Sequence, residues 1–287
     1  MRDNVEWIER LPYGVDIDKL KLALNELKKV GPMVFQGSEF GYNNFGGWNL
    51  QSRSGKYTDG FQVGIEKCYR KYWKPNTFNY HLAKFLDYSH AFEHKNKTNA
   101  CVGALSDVVD FLESKGFYPR RMRLTCLKPH SKSIIHRDAP SEKYLARIHI
   151  PLITNEKCVH WTEHGEAHMP ADGSVYMLWV NCMHQIRNDS DEDRYHIICD
   201  AYDTQGITQN FKYNGDINVL IEEAKNYRKV IDSIKINIFR KIAYTIGREL
   251  YMAKFKLEQK LLESSYKLAG TKYSNSITKE KNDKEKK

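Results

Sequence analysis

Between Pro119 and Ala201 short apolar runs alternate with polar, Gly or Pro turns, and this rhythm constrains the fold more than any other feature of the chain. Strand-forming segments fall near 121–128, 132–138, 144–151, 157–162, 166–170, 174–180, 182–187 and 194–201. Eight short strands suit a double-stranded β-helix, a jelly-roll of two facing sheets. Gly173, following Met169-Pro170-Ala171-Asp172, marks a turn between two of them. The expected fold is mainly β with flanking helices, built on a jelly-roll, cupin-like core with a C-terminal helical extension.

Chemistry enters with His136-Arg137-Asp138, His184 and Arg194. A histidine and a carboxylate at i and i+2 of an extended segment project from one face, and a histidine from a later strand completes a triangle around one metal ion. Two imidazoles and one carboxylate form the facial triad of non-haem Fe(II) oxygenases, which leaves positions open for a co-substrate and O₂. On this reading His136 and Asp138 end the second strand and His184 begins the seventh. Arg194 opens the eighth, where its planar fork is offered to a carboxylate such as that of 2-oxoglutarate. Taken alone, H-x-D with a later histidine is a weak signal in a chain with 11 histidines. Flanking text strengthens it: Arg147-Ile148-His149 adds a second basic pair at i and i+2, and 188–193 is an acidic, polar turn between apolar runs.

Read together, Thr125 to Asp203 resembles the aspartyl/asparaginyl β-hydroxylase family, which includes bacterial proline hydroxylases. The resemblance implies iron held by His136, Asp138 and His184, and Arg194 on the distal carboxylate of 2-oxoglutarate. It further places Thr125 as a hydroxyl partner of that carboxylate, and Arg147 and His149 near the keto-acid end. Asp138 aligns the chain with the proline hydroxylase branch, because the animal enzymes that name the family lack a carboxylate ligand. It also argues against a halogenase, which needs that position vacated. The implied reaction hydroxylates an unactivated C–H of an amino acid or a peptide residue and converts 2-oxoglutarate to succinate and CO₂.

The flanks are less regular. Asp16–Val30 and Asn99–Lys115 have helical periodicity, the first with Leu20, Leu24 and Leu27 inward, the second with Val102, Leu105, Val109 and Leu112 inward and Gly116 as a stop. Between them Val34–Phe61 alternates aromatics and amides among glycines, which suits either a substrate-facing wall or an ordinary strand and turn. Trp48, Gln51 and Arg53 are substrate-side candidates there, and Arg121 and Arg123 form a second candidate pair for a substrate carboxylate. From Ile217 to Tyr266 a stripe of Leu220, Ala224, Tyr227, Ile231, Ile234 and Ile238 must bury against the core or against a second copy, so a homodimer through these helices is one expectation. The expected divisions are a catalytic domain 1–205 (helical and irregular over 1–118, jelly-roll over 119–205), a helical extension 206–266, and a disordered basic tail 267–287.

Composition decides the remaining classes. Residues 217–287 hold 17 basic against 9 acidic side chains, nearly all of the net charge of +9. That bias could draw nucleic acid, yet no aromatic interleaving for base stacking accompanies it, and a solvated tail explains it better. No run reaches the roughly 18 apolar residues of a membrane span, and Met1–Trp7 does not read as a secretory signal, so a cytoplasmic location is expected. Six cysteines without C-x-x-C spacing argue for buried, reduced thiols. Two alternatives stay open: a nucleic-acid dealkylating dioxygenase, and a non-catalytic jelly-roll binding module.

Overall fold

Two antiparallel sheets organise the computed structural model, which describes residues 7–35, 44–59, 91–138, 146–209, 211–232 and seven positions between 253 and 265. The strands are β1 (Ile8–Gly14), β2 (Val34–Phe35), β3 (Phe45–Asn49), β4 (Gln51–Ser52), β5 (Asn96–Lys97), β6 (Arg120–Leu127), β7 (Ser131–Lys132), β8 (Ala146–Ile153), β9 (Cys158–Thr162), β10 (Gly165–Ala167), β11 (Ser174–Trp179), β12 (His184–Asn188) and β13 (Arg194–Ala201). A large sheet runs β1-β11-β8-β13-β6-β3-β2 and a small one β10-β9-β12-β7, while β4 and β5 pair apart. From β6 onward the chain passes repeatedly between the sheets, which is the jelly-roll path. Each of the eight expected segments carries a strand. The second is reduced to Ser131–Lys132, and His136 joins the small sheet only through a single bridge to His184.

Side-chain alternation gives the large sheet two different faces. Met122, Leu124 and Cys126 of β6, Ile148, Ile150 and Leu152 of β8, and Ile197 and Cys199 of β13 share one apolar cluster with the helices. Their neighbours Arg123, Thr125, Arg147, His149, Arg194, His196 and Asp200 are just as buried or nearly so, and point the other way, toward the small sheet. One face is core and the other is polar.

Helices cover the core face. In α1 (Ile17–Val30) the Asp16 side chain caps the Lys19 N–H, Lys28 and Lys29 sit in the last turn, and Leu20, Leu24 and Leu27 are buried, as the periodicity predicts. In α2 (Ala104–Ser114) Leu105, Val108, Val109 and Leu112 are buried. Val102, expected inward, precedes the helix and is 56% exposed, because the helix begins at Ala104, five residues after the start of its pattern. Gly116, at φ 84°, ends it. The Val34–Phe61 stretch supplies β2 and β3 to the sheet edge; its residues 36–43 and 60–61 lie outside the described set. A Cβ on Gly47 would stand 1.9 Å from the Leu124 carbonyl oxygen, so β3 can lie against β6 only with glycine there.

The third helix, α3 (Ile217–Asp232), settles where the first half of its stripe goes. Leu220 and Ala224 pack in a cluster with Phe92 and Tyr202, and Arg228 Nε lies 2.8 Å from Glu93 Oε2 in the 3-10 turn Ala91–Glu93. Ile234, Ile238 and the side chains of Tyr227 and Ile231 lie outside what is described. The chain divides into a compact unit Met1–Lys235 and a second unit Ile236–Lys287, so α3 belongs with the jelly-roll. In the second unit the described residues are helical, with Leu257 and Leu261 exposed, and the basic tail 267–287 lies outside the description. No described helix is long and apolar enough to cross a membrane. The five described cysteines are all unpaired and buried, matching the sequence reading.

Candidate active site

His136, Asp138 and His184 meet at the mouth between the sheets, with one potential ligand atom from each within 4.8 Å of the others. Backbone hydrogen bonds fix them: His136 and His184 exchange N–H···O bonds of 3.1 and 2.8 Å, and Asp138 N–H donates to the Val180 carbonyl at 3.0 Å. The intervening Arg137 points away and reaches Glu163 at 3.3 Å, while Glu163 also accepts the Met183 N–H, so the H-x-D turn is tied to the residue before His184.

Tautomers follow from the partners. His136 Nδ1 is 2.9 Å from the Ile134 carbonyl and His184 Nδ1 is 2.9 Å from the Cys182 carbonyl; a carbonyl only accepts, so each Nδ1 carries the proton and each Nε2 presents a lone pair. These Nε2 atoms lie 3.5 and 3.7 Å from the two Asp138 oxygens. Burial and the neighbouring His136 push His184 down to about 3, so it is neutral and ready to ligate at ordinary pH. Burial alone would raise the Asp138 carboxyl; Arg147 and the two imidazoles outweigh it and hold it well below the usual carboxylate range. Two imidazole lone pairs and a carboxylate suit a divalent first-row metal such as Fe(II), and outer hydrogen bonds of this kind orient such ligands.

Arg147 lies in the site, where its guanidinium bridges two carboxylates. Nη1 pairs with Asp138 Oδ2 at 2.8 Å, and Nε and Nη2 donate to Asp200 Oδ1 at 3.1 and 3.0 Å. As placed it clamps the acidic ligand, on the same polar face as the rest of the site. Arg121 joins the same chain, with Nη1 3.3 Å from Asp200 Oδ2. Its φ of 54° marks a bulge where β6 carries one residue more than β13, and the bulge aims the side chain at Asp200. Arg123 is buried on the same polar face, its pKa pushed well down by burial and by Arg121 and Arg147.

Deeper in, Arg194 is 2% exposed, and no described carboxylate pairs with it. Its Nη2 donates to His196 Nδ1 at 3.0 Å, its Nε–H has no partner among the described residues, and burial brings its pKa down to about 10. A buried guanidinium without a counter-charge is costly unless an anion arrives. That is the property needed at the distal carboxylate of 2-oxoglutarate. Thr125 lies beside it, with its hydroxyl donating to the His196 carbonyl at 3.0 Å; as placed, its proton is committed to the backbone. His149 reaches the same interior with both ring nitrogens unpartnered.

The remaining candidates lie elsewhere. Trp48 sits on the helix-covered face, its indole N–H donating to the Gly31 carbonyl at 2.9 Å, so the large sheet separates it from the triad and a substrate role does not fit. Gln51 is buried and accepts the Met122 N–H at 3.3 Å, a backbone-satisfying role. Arg53 lies on the short β4–β5 ribbon, half-buried, its backbone carbonyl accepting from Asn96. Two further histidines, His160 and His196, face the polar interior: the His160 ring stacks on His184 at 5.5 Å, and His196 holds Arg194.

A jelly-roll carrying this donor set and a buried unpaired arginine defines a non-haem Fe(II), 2-oxoglutarate-dependent oxygenase. Residues 65–204 match the family model described as Aspartyl/Asparaginyl beta-hydroxylase, so this part of the chain is similar to that family of hydroxylases. Similar solved structures include an oxidoreductase of the 2OG-Fe(II) oxygenase family from Burkholderia pseudomallei (13% identity, 68% of this chain and 84% of that one, TM-score 0.41). A prolyl hydroxylase from Trichoplax adhaerens, in complex with a hypoxia inducible factor peptide fragment, shows 11% identity over 70% of this chain and 86% of that one, TM-score 0.41. A cupin domain from Bordetella pertussis overlaps 30% of this chain and 93% of its own length at 18% identity and TM-score 0.23. These overlaps are loose, and the family match and the site geometry carry the assignment. No curated protein sequence matches the chain.

Proposed function

We propose that the protein hydroxylates an unactivated C–H of an amino acid, or of a residue within a peptide, using Fe(II), 2-oxoglutarate and O₂. The observation that carries this reading is the pairing of an inward-facing His136–Asp138–His184 triad with Arg194, a buried cation that has no counter-charge among the described residues. Bound Fe(II) with 2-oxoglutarate supplies the activation of O₂, one oxygen atom entering the new hydroxyl and the other the succinate that forms as CO₂ leaves. The two Nε2 lone pairs and one Asp138 oxygen would hold the metal. Arg147 occupies the other Asp138 oxygen and so limits the carboxylate to one coordination site. Arg194 would hold the far carboxylate of the co-substrate, and its depth between the sheets keeps water away from that end. Arg121 and Arg123, on the same face nearer the triad, suit an anionic group on the substrate.

Anaerobic addition of Fe(II) and 2-oxoglutarate should produce the visible metal-to-ligand charge-transfer band, lost in His136→Ala and in Arg194→Ala. A positive result then justifies screening amino acids and peptides by succinate formation. No band in folded, iron-supplied protein would retire the oxygenase reading.

A further inference from the structure

The interior between triad and Arg194 is lined by imidazoles in sequence: His184 to His160 at 5.5 Å between ring centroids, His160 to His149 at 5.6 Å, and His149 to His196 at 5.8 Å, with Arg194 bound to the last. His160 comes from the small sheet, where β9 pairs with β12 at Ile186, and faces His149 of the large sheet. Trp7 stacks on it at 5.9 Å with rings 20° apart, and it stacks in turn on His184 at 12°. The ring is thus held in place by two stacked partners.

Its nitrogens are not held. The ring is 1% exposed, and neither Nδ1 nor Nε2 has a partner among the described residues. An ordinary structural histidine uses a carbonyl, as His168 does with Nδ1 3.1 Å from the Cys158 carbonyl. A neutral imidazole carries one N–H and one lone pair, and leaving either unmet in a buried site is unfavourable. Nor is it part of a second metal site, since only the triad brings three ligand atoms together among the described residues.

We propose that His160 binds the co-substrate directly, donating a hydrogen bond to the oxo acid on its path between the metal and Arg194. The inference rests on the 2-oxoglutarate reading and adds a contact from the small sheet. Charge is answered by Arg194, and His160 contributes direction, so the path is matched to a ligand with oxygen acceptors along its length.

The test is 2-oxoglutarate affinity by calorimetry on Mn(II)-loaded protein, comparing wild type, His160→Phe, which keeps the stacked ring without its nitrogens, and His160→Gln, which keeps a donor. His160→Phe should weaken 2-oxoglutarate at least about 10-fold with Mn(II) affinity unchanged, and His160→Gln should recover most of the loss. In Zn(II)-loaded wild type, where folding of a variant is not at issue, added 2-oxoglutarate should shift the His160 ring ¹⁵N resonances. Unchanged affinity in His160→Phe, or unmoved resonances with 2-oxoglutarate bound, overturns the His160 contact and leaves the function standing. Failure of wild-type protein to bind 2-oxoglutarate overturns both.

Discussion

Arg194, fully buried, and Asp138, half-buried, differ in how their charges are met, and substitutions should separate them. Asp138 is already compensated by Arg147, so Asp138→Ala removes a metal ligand and strands an arginine: metal affinity should fall by at least about 100-fold, and stability should also drop, since breaking such a pair from one side costs about 3–5 kcal/mol. Dye-competition metal titration and urea unfolding measure both. Arg194 has no counter-charge to lose. Arg194→Met should therefore raise the melting temperature of the ligand-free protein while weakening 2-oxoglutarate by about 100-fold or more, the range expected for a charge-assisted contact. A destabilised, normally binding Arg194→Met would refute that assignment. The triad and Arg194 were legible in the sequence because extended-strand spacing and turn chemistry place them almost without tertiary information. His160 and His196 were not, because a lone histidine in an apolar strand looks the same whether a carbonyl satisfies it or nothing does.

At the level of elements, the turns do most to aim the site. Asn188 is fully buried at the end of β12; its Nδ2 donates to the carbonyls of Leu127, Lys128 and Glu192, and its Oδ1 accepts from Ser190. That network sets the reversal into β13 and hence the position of Arg194. Asn188→Ala leaves several buried backbone groups unmet and should cost about 3 kcal/mol or more in urea unfolding, with 2-oxoglutarate binding impaired in whatever remains folded. Gly173 stands at φ 86°, where a Cβ would lie 2.5 Å from the Val15 carbonyl oxygen. Gly173→Ala should destabilise by about 1–3 kcal/mol without touching metal affinity. The sequence marked both turns, since Gly and Asn announce special backbone. It did not reveal β1, an edge strand with only Leu11 fully buried and a proline inside it, because such a strand lacks the alternation that a two-sided burial imprints. The bulge at Arg121 was equally hidden, being set by its neighbour β13 rather than by its own residues.

Over the whole molecule, His94, His149, His160 and His196 are all held well below the ordinary imidazole range, by burial first and by nearby positive or imidazole groups second. They stay neutral when folded but take up protons near pH ~6.5 when unfolded, so stability is present above that pH and is lost as pH falls below it. Urea titrations of metal-free protein should show a steady decline from pH 7 to 5, up to about 1.4 kcal/mol per pH unit for each such group; a flat profile would contradict the burial of these rings. Because α3 packs with the first unit, a chain ending at Lys235 should fold and keep its metal site, whereas one ending at 205 should lose stability as Phe92 and Tyr202 are uncovered. Circular dichroism and metal titration of the two truncations decide it. The alternating faces of β6, β8 and β13 have a last consequence. Hydrophobic core and polar site are spelled by odd and even residues of the same strands, so neither can open while the other stays closed. Amide hydrogen exchange at Arg147, His149, Arg194 and His196 should accordingly be as slow as at Ile148 and Ile197, making the catalytic interior among the last regions of the chain to exchange with solvent.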